Sequence, residues 1–291
     1  MPVQHADNTG GRGPSPAIFD WAQRQELDYN EGVRLKTDFL SLSGLLTSTA
    51  GQYATDGAAF VSYQTGSTDT IKLVSTINSV VTSGGLLQML TAATDDHQCS
   101  IELGDGNGGL FTPTVGAGNG RLAFECRFLL NDTTANLTTN AAGFYLGLGT
   151  PGKGTASLGQ LTSGDALVTS NYGIQASILT GAPTTLAAGW INATGATAKG
   201  NLSTALAGYT FYKLGFLLEP AGTNVGFATD TLRWFLNGVE VTALRTSVST
   251  IDANFPTGLA LVPMFGMLTT GAHAAHLVLD WVQCFLEAGS P

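Results

Sequence analysis

The sequence predicts an all-β protein built as an antiparallel sandwich or barrel. Short apolar segments recur between Gly, Asn and Pro turns through the last third of the chain, and residues inside them alternate with a period of two. In the segment 232–241, Leu232 and Trp234 alternate with Arg233, so one face of this strand can pack while the other stays wetter. The Asn-Gly step at 237–238 lies between two apolar runs and predicts a type I′ hairpin.

The composition indicates a folded protein with an unusually uncharged surface. Hydrophobic residues make up 43% of the 291 residues, which is enough for a sizeable core, while charged residues make up only 11%. Such a surface suits large contact areas with other proteins. The formal net charge of -9 and the scattered Lys and Arg residues argue against a nucleic acid partner.

The sequence predicts synthesis and folding in a cytoplasm, with no membrane contact. The first ten residues have neither a basic start nor an apolar core, and no run approaches the 18 or so apolar residues of a membrane span. The three cysteines each fall in a predicted strand and are expected to be buried free thiols. A metal site is the alternative, but only His97 lies near Cys99.

Residues 1–37 form a predicted N-terminal arm. A Gly- and Pro-rich stretch is followed by a segment, 17–29, that can form a short helix with Ile18 and Trp21 on one face. Two interpretations stay open: the arm packs on its own domain, or it orders against a neighbouring subunit.

Residues 38–83 are predicted to be a β-rich segment whose strands either extend the sandwich or form a separate docking part. From residue 84 onward, strand follows strand. Within 122–128, alternation puts the apolar residues on one side and Glu125 with Arg127 on the other, where these charges are expected to face water or a partner.

The stretch 149–208 is rich in Gly, Thr, Ala and Ser, and is predicted to be long loops with strands at 172–178 and near 190–192. Its composition favours adaptable contacts. In the closing strand, alternation groups Leu277 and Leu279 with Trp281 on one face.

The strand order and several short motifs of residues 84–291 resemble the concanavalin A-like jelly roll. The motifs include 124–128, 144–148, 212–216, 234–241 and 277–282. The chain particularly resembles the lectin-like jelly-roll proteins encoded among the structural genes of tailed bacteriophages. This resemblance implies an all-β antiparallel jelly-roll sandwich for about residues 84–286, and the composition of residues 1–37 adds an N-terminal extended arm or short helix. It also implies that Asn237, Gly238, Asp280 and Trp281 are framework residues.

Catalysis is not expected, although relatives of this fold include glycan hydrolases. Glycoside hydrolysis needs two carboxyl groups across one cleft, and the Glu-x-Asp-x-x-Glu pattern of the glucanases is not in the sequence. Asp230 and Asp280 are isolated and favour surface or turn roles. No cofactor and no metal are expected: 105–109 has too few later carboxylates for calcium, and His273 with His276 flanks a turn.

The resemblance and the composition together predict a phage virion structural protein, a decoration or cement protein on the capsid exterior that binds the major capsid protein. It would act by binding across capsid subunits and would form a homodimer or homotrimer. The predicted partner-binding residues are the apolar and aromatic side chains of the arm, Ile18, Phe19, Trp21 and Tyr29. The alternative is a carbohydrate-binding, lectin-like module on the virion or tail, with Trp190 and Tyr172 as candidates for an exposed aromatic platform; a core position is the equal alternative for both residues.

Overall fold

The computed structural model describes residues 14–15, 17–19, 32–39, 42–43, 50–55, 59–65, 69–77, 80–93, 97–104, 108–132, 142–152, 172–178, 182, 184–221, 228–247, 253–269 and 274–288. Two antiparallel sheets form a sandwich, so the predicted all-β jelly roll is confirmed. The strands are, in chain order, β1 (Gly32–Thr37), β2 (Leu42–Ser43), β3 (Ala50–Thr55), β4 (Ala59–Gln64), β5 (Thr70–Ile77), β6 (Val80–Leu90), β7 (Gln98–Glu102), β8 (Leu122–Asp132), β9 (Ala142–Gly149), β10 (Gly173–Ile178), β11 (Leu186–Asn192), β12 (Gly195–Ser203), β13 (Phe211–Glu219), β14 (Thr231–Leu236), β15 (Val239–Glu240), β16 (Thr246–Ser247), β17 (Val262–Thr269) and β18 (Ala275–Glu287).

The first sheet is organised around β18, which has 13 residues. Its strand order is β15-β14-β13-β8-β18-β6-β5, with β1 beside β18 and β16 beside β14. One side of β18 pairs with β8. The other side pairs with β6 near its start and with β1 near its end. Strand β18 therefore joins three strands from distant parts of the chain: β8, which also pairs with β13, β6, which also pairs with β5, and β1.

The second sheet has the order β12-β11-β10-β9-β17-β7-β4-β3-β2. The core between the sheets is apolar and tightly packed. Phe124 of the first sheet stacks on Phe216, with 5.0 Å between ring centroids, and on Phe265 of the second sheet at 6.2 Å. All three side chains are fully buried, and burial of each contributes about 1.5–3 kcal/mol to stability.

The strands of residues 38–83 extend the sandwich. Strands β2, β3 and β4 belong to the second sheet, and β5 and β6 to the first. Strand β6 runs through the predicted boundary at 83/84, and β1, from the predicted arm, lies in the first sheet. The sheets therefore continue across both predicted boundaries.

The alternation predicted for the closing strand is wrong after Leu279. The register of β18 against β8 shifts between Leu279 and Trp281, with Asp280 as the extra residue. A bulge of this kind reverses which side chains face inward. Val282 therefore joins Leu277 and Leu279 in the core, and Trp281 lies outside this core cluster.

The predicted hairpin at Asn237-Gly238 is confirmed. Asn237 has φ +54° and Gly238 has φ +77°, as a type I′ turn requires at both central positions. The turn joins β14 to β15, whose residues pair directly. It thereby sets the register at one edge of the first sheet.

The N-terminal segment, defined here as residues 14–15 and 17–19, lies on the outer face of the first sheet. Residues 17–19 are helical, in the region where a helix is predicted. The backbone N–H of Ser15 donates to the Glu125 carboxylate at 2.7 Å, and its hydroxyl makes a second, short hydrogen bond to the same group. Glu125 is therefore fully buried, and the expectation that it faces water or a partner is wrong.

Candidate functional site

Two of the four predicted partner-binding residues are buried inside the chain's own structure. Ile18 and Phe19 have no exposed surface. They pack on an apolar patch of the first sheet formed by Ala123, Leu217, Phe235 and Phe285. This arrangement corresponds to the interpretation in which the arm packs on its own domain. Trp21 and Tyr29 lie outside the described residues.

Of the two candidates for an aromatic platform, Trp190 belongs to the core. Its ring is fully buried and meets Phe255 edge to face, with 5.5 Å between centroids. The Lys199 ammonium lies 4.3 Å from the centroid of the Trp190 ring. Trp190 therefore lies in the core, which is the alternative that the sequence leaves open for it, and it does not form an exposed platform.

Tyr172 is the exposed aromatic residue of the pair, with 37% of its surface accessible. It directly precedes β10, and its carbonyl accepts a hydrogen bond from the N–H of Thr150 at 3.0 Å. Gly173 pairs with Ile191, so the next position along β11, Asn192, adjoins Tyr172. Tyr172 thus lies at the start of β10, between the neighbouring strands β9 and β11.

Asn192 is the organising residue beside Tyr172. Its side-chain amide donates to the carbonyls of Ala253 and Phe255, the latter at 3.1 Å. Its side-chain oxygen accepts from the N–H of Thr194 at 2.7 Å and lies 2.6 Å from the Thr194 hydroxyl oxygen. These bonds account for the full donor and acceptor capacity of the amide. Asn192 therefore holds the turn between β11 and β12 against residues 253–255.

Asn254 continues this hydrogen-bonding network. Its amide nitrogen donates to the Thr197 hydroxyl at 3.1 Å, and its oxygen lies 3.1 Å from the Thr194 hydroxyl oxygen. A Cβ at Gly195 would lie 3.1 Å from the same Asn254 oxygen, so the close approach depends on glycine. We name Asn192, Thr194, Thr197 and Asn254 the amide–hydroxyl cluster.

The amide–hydroxyl cluster and Tyr172 together form a neutral, partly open surface. Thr194 is exposed and Thr197 is half-buried. A hydroxyl both donates and accepts a hydrogen bond, and an aromatic ring offers a flat apolar face. This combination suits an uncharged ligand rich in hydroxyl groups.

The carboxylates weighed for catalysis are used inside the structure. Asp230 is buried and accepts from the N–H groups of Gly116 at 2.9 Å and Ala221 at 2.7 Å, so it clamps two loops together. Asp280 is buried at the bulge of β18 and forms a short ion pair with Arg127. These contacts give both carboxylates a structural role, although the sequence alone favours surface or turn positions.

The histidine–cysteine pair weighed as a metal site is also used internally. His97 Nδ1 lies 2.8 Å from a carboxylate oxygen of Asp69. Burial, together with the charge of Asp69, raises the pKa of the Cys99 thiol far above its ordinary value, which suppresses the thiolate that a metal would need. Within the described part of the chain, no group of three His, Cys, Asp or Glu side chains could hold a metal ion. His273 and residues 105–107 lie outside the described residues.

No helix in the described ranges is both long enough and apolar enough to span a membrane. No protein-family model matches the sequence. No curated protein matches it either.

Solved structures do resemble the chain. A peanut lectin solved with a nine-residue peptide superposes with a TM-score of 0.50 at 11% identity, covering 89% of this chain and 100% of the lectin. The globular domain of T. cruzi calreticulin gives a TM-score of 0.47 at 7% identity, covering 87% of each chain. An endo-β-1,4-glucuronan lyase from the fungus Trichoderma reesei gives 0.42 at 12% identity, covering 79% of this chain and 90% of the lyase. The likeness to peanut lectin shows that this chain has the jelly-roll fold of the concanavalin A-like lectins.

Proposed function

We propose that this protein is a non-catalytic carbohydrate-binding module of the lectin type, and that it binds its ligand at Tyr172 and the amide–hydroxyl cluster. The observation that carries this proposal is that the exposed Tyr172 adjoins Asn192 in the strand register, and that Asn192 belongs to a hydrogen-bonded set of neutral side chains. Binding sites in proteins combine an apolar surface with a few well-placed polar groups. The site has that composition.

The chemistry of the site favours a sugar over a charged ligand. The faces of a sugar ring present C–H groups that can lie against the Tyr172 ring, while its hydroxyls can exchange hydrogen bonds with Thr194 and Thr197. None of the four residues in the amide–hydroxyl cluster carries a charge. The ammonium of Lys199, two positions beyond Thr197 on β12, lies over the Trp190 ring.

The rigidity of the site should help binding. Asn192 fixes residues 253–255, and Phe255 rests edge to face on the buried Trp190 ring. Groups that are already ordered lose little conformational entropy when a ligand arrives. The lectin-type fold agrees with the proposal, and Asp230 and Asp280 already hold structural contacts.

The sequence-based alternative, a capsid decoration protein that binds the major capsid protein as a homodimer or homotrimer, stays a prediction. The same holds for the virion exterior as its location. Burial of Ile18 and Phe19 leaves these two predicted anchors without surface to offer a partner. The described residues give this role no support of their own, so we do not propose it as a second function.

A glycan array followed by titration calorimetry tests the proposal. We expect the protein to bind at least one glycan, and Tyr172→Ala to weaken that binding about tenfold, since one lost ring contact is worth about 1–1.5 kcal/mol. Thr197→Val, which removes one hydroxyl, should weaken it less.

The matched control is Val239→Ala, which changes a side chain that is 70% exposed on the other sheet and should leave affinity unchanged. Equal affinity of the wild type and Tyr172→Ala would contradict the site. Binding to purified capsids, with no glycan bound, would contradict the function.

A further inference from the structure

The N-terminal segment occupies a socket built for it on the outer face of the first sheet. Glu125 of β8 pairs with Gly215 of β13, which in turn pairs with Phe235 of β14. A Cβ at Gly215 would overlap the Ile18 side chain, and one at Gly238 would lie 2.8 Å from the Ser15 hydroxyl oxygen. Two glycines therefore make room for the segment.

The apolar patch completes the socket. Leu217 pairs with Ala123, and Ala123 pairs with Phe285, so these three residues form a continuous row across the sheet. Ile18 and Phe19 cover this row together with Phe235. Detachment of the segment would expose the whole patch to water, which costs free energy in proportion to the apolar area.

The polar part of the socket is a single ionisable group, Glu125, which the segment seals from water. Both oxygens of the carboxyl contact Ser15, one through the backbone N–H and one through the hydroxyl. Among residues 14–15 and 17–19, none carries a charge that could compensate an ionised carboxylate.

The charged neighbours of Glu125 on the surrounding strands are few. On β13, Lys213 lies near enough to interact with the carboxyl electrostatically. On β8, Arg127 is the next outward-facing residue, and it is paired with Asp280 of β18. The residue of β18 opposite Glu125 is the uncharged Gln283. On β14, Arg233 is engaged by Glu219 and Glu240.

We infer that the N-terminal segment, residues 14–15 and 17–19, acts as a pH-sensitive latch on the first sheet, closed over the apolar patch while Glu125 is protonated and weakened when Glu125 ionises. Closing the latch removes water from the carboxyl, and removal of water disfavours the charged form. Opening the latch returns water to Glu125. The patch and the carboxyl are thereby exposed or covered together.

The direction of the pH dependence follows from the pKa of Glu125. Burial raises it from 4.5 to about 7, against hydrogen bonds from Ser15 and the charge of Lys213, which lower it. A carboxyl that holds its proton more tightly in the closed state favours closing at low pH. The stabilisation of the closed state by this proton is complete below pH 4.5, decreases as the pH rises, and is lost above about pH 7. The closing equilibrium should change on the order of 10²-fold across this range.

Hydrogen–deuterium exchange with mass spectrometry on the full chain tests the latch. The readout is the protection of the peptide that carries the N–H groups of Ser15, Ile18 and Phe19, compared between wild type and Glu125→Gln at about pH 5 and about pH 8.5. The variant has the same intrinsic exchange rates but cannot ionise. We expect similar protection at the lower pH and at least tenfold weaker protection of the wild type at the higher pH.

Two further measurements keep the inference testable. Glu219→Gln changes another buried carboxyl, one that is bound to Arg233 and not to Ser15, and it should behave as the wild type in this peptide. If Glu125→Gln does not fold, the comparison is made within the wild type, between this peptide and one from β13. Equal pH dependence of protection in wild type and Glu125→Gln, or in the two wild-type peptides, would overturn the latch.

Discussion

The contact between Gly215 and Ile18 allows a sharp test of how the N-terminal segment packs. A Cβ at Gly215 would overlap Ile18 Cδ1 and would also lie 3.1 Å from the Phe124 carbonyl oxygen and 3.2 Å from Glu125 Cγ. Ordinary contacts of a Cβ are 3.4–4 Å. Gly215→Ala should therefore push Ile18 out of its socket, because the backbone of a central strand cannot yield as easily as a side-chain terminus.

The expected magnitudes come from known costs of core changes. Overpacking by Gly215→Ala should lower the free energy of unfolding by about 1–3 kcal/mol. Ile18→Val removes the overlapping methyl group from a fully buried side chain and alone should cost about 0.5–1.5 kcal/mol. In the double variant Gly215→Ala, Ile18→Val, the methyl group that would overlap is already absent. Its loss of unfolding free energy should therefore be smaller than the sum of the two single-variant losses by about 1 kcal/mol or more.

Urea unfolding of the four proteins measures this coupling directly. Gly104→Ala is the matched control, since its Cβ would lie 3.4 Å from Val262 Cγ1 and 3.9 Å from the Gly108 carbonyl oxygen, within ordinary contact. That variant should change stability by less than about 0.5 kcal/mol. Strictly additive losses in the Gly215→Ala, Ile18→Val pair would refute the packing described for the segment.

Two other predictions concern ionisation. Burial alone would raise the pKa of Glu240, but hydrogen bonds and charges from Arg245 and Arg233 outweigh it and lower that pKa. Glu240→Gln should therefore lower the free energy of unfolding by at most about 1 kcal/mol near neutral pH. In thermal melts, the difference in stability between the variant and the wild type should vanish as the pH falls below the lowered pKa of Glu240. A difference that persists in acid would contradict the ion pairs as its origin. All three cysteines are buried, and burial also raises the pKa of the Cys126 and Cys284 thiols. A thiol reagent should therefore label no cysteine in the native protein and three cysteines after unfolding. Labelling of the native protein would contradict this burial.

The fold could be predicted because its strands carry strong local signals. Alternation in β8 puts Phe124 and Phe128 in the core, as expected, and the Asn237-Gly238 turn appears where it was predicted. Strand β12 was missed because Gly195–Ser203 consists mostly of small residues and has no apolar alternation. Tertiary pairing with β11 makes it a strand, through two register shifts that local sequence cannot indicate.

The candidate site was predictable only in part. Tyr172 could be named as an aromatic candidate, but the sequence does not show that Trp190 is buried against Phe255, which is 65 residues further along the chain. The amide–hydroxyl cluster could not be predicted because Asn192, at the end of β11, and Asn254 come from segments that are far apart in the sequence, and no local pattern in the sequence connects them.

The position of β18 between β6, β8 and β1 has a consequence for folding during synthesis. Until residues 275–287 have left the ribosome, β1 has no partner strand among those described, and β6 and β8 each have a neighbour on one edge only, so the first sheet cannot close earlier. Pairings between residues this far apart in sequence form slowly, and unpaired strand edges are open to aggregation in the meantime. Yield in a cell should therefore depend strongly on temperature and on chaperone supply, even for a native state that is stable once formed.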